Sequence, residues 1–124
     1  MNSFASMNII VSGDKTVAAV QNEFHENFPY LKIEFFQSTT KGKNRISGNQ
    51  LFSIFGANGH SNQITITPAI TVAELGDKFL TYYNLSAQVF RQSGKAWLET
   101  TLTDSWTLEE QNEQGKALSS SNPK

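Results

Sequence analysis

The stretch TVAAVQNEF, residues 16–24, returns as TVAELGDKF at residues 71–79, a spacing of 55. Val17 matches Val72, Val20 matches Leu75, Phe24 matches Phe79 and Phe28 matches Tyr83. Apolar positions stepping by three, four and four residues lie on one face of a helix. Two helices built on one pattern are therefore expected. Thr71 and Glu74 have the spacing of a capping box, and Asp14 is the expected cap of the first helix.

Apolar alternation precedes each helix at the same spacing, with Ile9 and Val11 matching Ile64 and Ile66. Another alternation follows each helix, LKIEFF from Leu31 and LSAQVF from Leu85. A spacing of 55 would oppose Ile33 with Gln88. A spacing of 54 matches Leu31, Ile33 and Phe35 with Leu85, Ala87 and Val89. A slip of one residue turns every strand side chain to the other face, so the spacing of 54 is required.

The chain thus reads as one α+β domain over residues 1–118, with βαβ repeat units at about 8–37 and 63–91 and a connection at 38–62. Two such units predict a ferredoxin-like two-layer sandwich, with both helices on one face of a single sheet. A β-grasp variant is the alternative. Residues 119–124 read as a flexible tail.

The segment VFRQSGKAW, residues 89–97, reads as a hairpin. A Ser93-Gly94 loop would pair Phe90 with Trp97 and Val89 with Leu98, and would extend the added strand to Leu102. Thr107 and Glu110 repeat the capping-box spacing, and Gly115 is placed to end a short C-terminal helix. On this register Phe36, Phe90, Trp97 and Ile10 share the sheet face away from the helices. An apolar patch of that kind is a candidate protein contact, either with a partner or with a second copy. Cover by the C-terminal helix is the competing explanation.

The same aromatics, near Lys32 and Arg91, could stack single-stranded bases. Glu34 and Glu99 on the face oppose a phosphate backbone, and the formal net charge of −1 offers no general attraction to nucleic acid. Nucleic acid is thus an unlikely partner. The 38–62 connection holds Lys41, Lys43, Arg45 and His60 with no acid, so a small anion could bind there. Leu51, Phe52, Ile54 and Phe55 in that connection are too apolar for a free loop and predict a short packed element.

With 124 residues, 38% hydrophobic and no cysteine, the chain can bury a core but cannot use thiolate chemistry. His25 and His60 lack zinc-ligand spacing, and no GxSxG elbow accompanies them. No cofactor, metal or catalytic residue is expected. The first residues lack a basic segment followed by a long apolar one, and no run is long enough for a membrane span. A cytoplasmic location is the expectation.

At FPYLKIEFF, ITPAITVAEL and VFRQSGKAWLETTLTDSWTLEEQN the chain resembles a family of small uncharacterised proteins encoded in Bacteroidota genomes. The likeness covers roughly residues 7–115 and is weakest at 39–62. It implies a compact bacterial intracellular module, with no activity, cofactor or partner attached.

Overall fold

A computed structural model describes residues 8–56 and 63–120. The elements run β1 (Ile9–Val11), α1 (Val17–Asn27), β2 (Leu31–Thr39), β3 (Gly42–Arg45), β4 (Ile64–Ile66), α2 (Val72–Tyr83), β5 (Ser86–Ser93), β6 (Ala96–Glu99) and α3 (Leu108–Ser120). Short 3-10 turns occur at Phe52–Ile54 and Thr101–Thr103. The class is α+β.

Both helices of the repeat form where the apolar stripe places them. Val17, Val20, Phe24 and Phe28 are buried, as are Val72, Leu75, Phe79 and Tyr83. The Thr71–Glu74 capping box is present, and so is that of Thr107 and Glu110. Helix α1 is capped by Thr16, whose hydroxyl accepts from the Ala19 N–H, and not by Asp14. Thr16 and Thr71 are equivalent residues, so the cap repeats with the helix. Pro29 follows immediately on the C-cap Phe28 and prevents α1 from continuing.

The single ferredoxin-like sheet is not what the strands make. They form a two-stranded ribbon, β1-β4, and a four-stranded sheet, β3-β2-β5-β6, and every pairing is antiparallel. Each helix carries the chain from the ribbon to the larger sheet. The strand before each helix pairs with its counterpart in the other unit, and so does the strand after it. This is the result expected when two units meet across a two-fold axis. The register centres on Ile10↔Thr65 in the ribbon and on Glu34↔Gln88 in the sheet. Those pairs are separated by 55 and 54 residues, the two spacings of the repeat.

The repeat extends well past its sequence signature. In the first unit the N–H groups of Val17 and Ala18 donate to Gln50 and Gly48, and those of Phe52 and Ser53 donate to Lys15 and Gly13. In the second, Val72 and Ala73 donate to Trp106 and Asp104, while Leu108 and Glu109 donate to Ile70 and Pro68. Thr16 bridges Leu51 just as Thr71 bridges Thr107. Each unit is therefore β-α-β-β followed by a return segment that caps its own helix. The units are longer than the expected 8–37 and 63–91. The 38–62 connection is the counterpart of the C-terminal hairpin and helix start, and its residues 57–62 lie outside those described. Phe52 and Leu108 are the matching anchors, both fully buried.

An aromatic cluster forms the centre of the core. The Phe35 ring lies 4.7 Å from Phe79 and 5.3 Å from Phe52, and Phe52 lies 5.3 Å from Tyr83. Packed ring pairs at these separations add about 0.5–1.5 kcal/mol each beyond area burial. The ribbon completes the core with Ile9, Val11, Ile64 and Ile66.

The C-terminal hairpin loop lies one residue later than expected, which shifts the register by two residues and so keeps each side chain on its expected face. Ser93 pairs with Ala96 and Gln92 with Trp97, so the loop is Gly94-Lys95. Gly94 has a φ of 63° and takes the first loop position, as in a type II′ turn. The Ser93-Gly94 loop would have placed the glycine second. Leu98 consequently pairs with Arg91 at the sheet edge and is exposed. The strand stops at Glu99, because Thr100 turns inward and bonds the Val89 carbonyl through both its N–H and its hydroxyl. Leu102 is therefore fully exposed and not in the core.

Helix α3 does not end at Gly115 but runs to Ser120, and so takes in the start of the expected tail. A Cβ on Gly115 would lie 2.8 Å from the Tyr30 Cβ, so glycine here permits close helix–sheet packing. Residues 121–124 lie outside those described.

Candidate functional site

The four-stranded sheet sets its inner face by alternation. Leu31, Ile33, Phe35, Leu85 and Val89 point to the core, so Lys32, Glu34, Phe36, Ser86, Gln88 and Phe90 line the outer face. Trp97 and Glu99 share this outer face on β6, and Lys43 and Arg45 share it on β3. Phe36, Phe90 and Trp97 therefore share this face as expected, each half-buried, but Phe36 lies opposite Ser86, four residues along β5 from Phe90. Ile10 does not join them. It lies in the ribbon, and its exposure comes from the outward side of β1.

The C-terminal helix packs on the opposite side. Its contacts run through Arg91, Tyr30 and the Gly94 N–H, and the Arg91 guanidinium lies 5.5 Å from the Trp106 ring. Arg91 donates to Gln111 at 2.7 Å, so it is a structural side chain and no part of a basic platform. Among the described residues no helix packs over Phe36, Phe90 and Trp97.

Trp97, on the edge strand β6, reaches across the outer face. Its shifted register sets it diagonal to Phe90, not opposite. The Lys32 ammonium lies 5.0 Å from the Trp97 ring and 5.5 Å from Phe90, within the range of cation–π attraction. The His25 ring is 6.2 Å from Trp97. His25 is exposed on α1, and its approach to Trp97, between α1 and β6, leaves no local signature in the sequence. His25 also approaches the Leu31 carbonyl at 2.8 Å, and the Gln21 amide donates to the Ile33 carbonyl at 3.0 Å. These two α1 side chains cap the stretch of the β2 edge that β3 does not reach.

The expected anion residues do not converge. Lys41 is exposed in the β2–β3 turn, Lys43 is exposed on β3, and His60 lies outside the described residues. Arg45 lies 3.6 Å from the Glu34 carboxylate, a partly neutralised pair. A groove of about 510 Å³ is lined by Gln21, Glu34, Arg45, Ile46, Ser47 and Gly48, and neither lysine borders it. Another of the same volume runs along α3, lined by Trp106, Glu109, Glu110, Glu113 and Gln114.

Among the described residues no group of three His, Asp or Glu side chains could hold a metal, and no helix is long and apolar enough to cross a membrane. Lys15, near the first strand-to-helix turn, is paired with Glu23 at 2.9 Å. Burial pushes the Tyr83 phenol above its usual 10.0, and the Asp14 carboxylate acts in the same direction. Tyr83 belongs to the core and does not face a groove on the outer sheet face.

Comparison with protein-family models, with curated proteins and with solved structures finds no match for this chain.

Proposed function

We propose that the chain is a non-enzymatic protein-interaction module of the bacterial cytoplasm. It contacts its partner through the outer sheet face around Phe90 and Trp97 and through the adjoining sheet edge. The observation that carries this reading is the aromatic face itself. Three large rings and an exposed Leu98 stand on or beside a sheet whose helices all pack on the other side. Half-buried aromatics with a polar rim suit a protein contact. Base stacking is less favoured, because Lys32 already lies over the rings and the Glu34 carboxylate beside Arg45 opposes a phosphate backbone.

Site-specific photo-crosslinking in the native cell tests the proposal. A benzophenone amino acid at Phe90 is expected to give a protein adduct, while the same probe at Lys78, exposed on α2, gives none. Adducts confined to nucleic acid, or equal yields at the two positions, would overturn it.

A further inference from the structure

We infer that the chain pairs with a second copy of itself along β6, antiparallel and centred on Trp97, so that two sheets become one of eight strands. This deepens the interaction reading above and rests on it.

The first support is the direction of the backbone groups. The pair that closes a two-residue hairpin is hydrogen-bonded, so Ser93↔Ala96 and Arg91↔Leu98 exchange bonds within the hairpin. The N–H and C=O of Trp97 and Glu99 then point away from β5. Strand β6 ends the sheet, and among the described residues no strand pairs with those groups. An edge of this kind recruits another strand.

The second support is charge. Trp97 and Glu99 alternate toward the outer face on β6, Lys95 precedes them in the hairpin turn, and Lys95 and Glu99 are both exposed. With Trp97 opposite Trp97 of the second copy, Lys95 faces Glu99 of the second copy, and the reverse pair forms by symmetry. Such an interface is isologous and closes at two chains. Moving the register by one backbone-compatible step sets Trp97 against Glu99 and leaves Lys95 without an acid. Moving it by two sets Glu99 against itself.

The third support is the other edge. Counting 54 residues back, the β2–β3 hairpin carries Lys41 in its turn and Lys43 and Arg45 on β3 where the β5–β6 hairpin carries Lys95, Trp97 and Glu99. Ile46 donates to the Phe35 carbonyl, so the backbone of Lys43 and Arg45 faces outward as that of Trp97 and Glu99 does. Self-pairing of β3 would oppose cations in every register, a common means of keeping an edge unpaired. A mixed β3–β6 pairing with Lys43 opposite Trp97 forms one attractive pair and one repulsive pair. Only β6 with β6 gives two attractive pairs and none repulsive.

Sedimentation and light scattering of the purified chain across a concentration series test the inference, with circular dichroism as the check on folding. A reversible dimer is expected, weakened by salt. Lys95→Glu and Glu99→Lys each turn two attractive pairs repulsive and should weaken the dimer roughly tenfold or more. The double variant Lys95→Glu/Glu99→Lys should restore it. Trp97→Cys supplies the only cysteine, at a Cα separation of about 5.5 Å across the two-fold, and should form a disulfide dimer on oxidation. Lys78→Cys should not. A monomer at every concentration, or a double variant as weak as the single ones, overturns self-pairing. A photo-adduct at Phe90 with a different protein would then leave the broader interaction reading standing.

Discussion

Two helix glycines should respond to the same substitution with opposite sign. A glycine in a helix interior costs about 1 kcal/mol relative to alanine, through backbone entropy. At Gly76, in α2, an added Cβ meets nothing within 4 Å. Gly76→Ala should therefore stabilise the chain by about 0.5–1 kcal/mol. At Gly115 the new Cβ would lie 2.8 Å from the Tyr30 Cβ, 3.1 Å from the Arg91 Cγ and 3.2 Å from the Tyr30 carbonyl oxygen. Two of those atoms are fixed to the backbone of β2's approach and cannot swing aside. The helix would have to lift, which strains the Asn112 bond to the Tyr30 N–H and the Gln111 bond to Arg91. Overpacking of this kind costs roughly 1–3 kcal/mol and outweighs the propensity gain. Gly115→Ala should lose about 1–2 kcal/mol net, a fall of several degrees in Tm for a chain of this size. Urea and thermal unfolding followed by circular dichroism measure both variants. Equal stabilisation by the two would show that α3 does not sit against Tyr30, and the account of its docking would fail.

Gln111 is fully buried, accepts from Arg91 and donates to the Thr103 carbonyl and hydroxyl. Gln111→Leu keeps the bulk but orphans those groups, so urea denaturation should show a loss of about 2–4 kcal/mol; a change below about 0.5 kcal/mol would refute the network. The raised Tyr83 pKa gives a pH signature. The folded chain holds the phenol proton more tightly than the unfolded chain, so this contribution is complete below about pH 10 and is lost as pH rises through the folded value. Tyr83→Phe should flatten the alkaline decline of stability, and parallel wild-type and variant curves above pH 10 would contradict the assignment.

The helices were legible because their burial is periodic. Val17, Val20, Phe24 and Phe28 lie one turn apart, and nothing but a helix uses that spacing. The slip from 55 to 54 between helix and strand was legible for the same reason, since the wrong choice would have buried Gln88. The return segments were not. Their equivalence rests on backbone bonds such as Val17 to Gln50 and Val72 to Trp106, which impose no side-chain identity, with Phe52 and Leu108 as matching apolar anchors among the described residues. The sheet assignment was hidden because alternation in Ile9–Val11 says which side is buried, not which strand lies alongside. At the candidate site, alternation put Phe36 and Phe90 on one face, and Trp97 shares it because a register shift of two residues keeps the face. The hairpin loop slipped because Ser-Gly admits the glycine in either position, and the choice is settled only by the φ of Gly94.

The pseudo-symmetry also explains where the two halves are free to differ. Equivalent inward positions stay apolar, as in Ile33 and Ala87 or Phe24 and Phe79, because both halves close the same core and a polar residue there would be buried without a partner. Equivalent outward edge positions are under no such demand. There Lys43 stands for Trp97 and Arg45 for Glu99, changes of charge and size that would be ruinous one residue away. A fold that needs two similar halves has therefore kept two dissimilar edges, one carrying Lys43 and Arg45 and one carrying Trp97 and Glu99. Any recognition that distinguishes the two ends of the sheet must use those edge positions, since the backbone at both ends is the same.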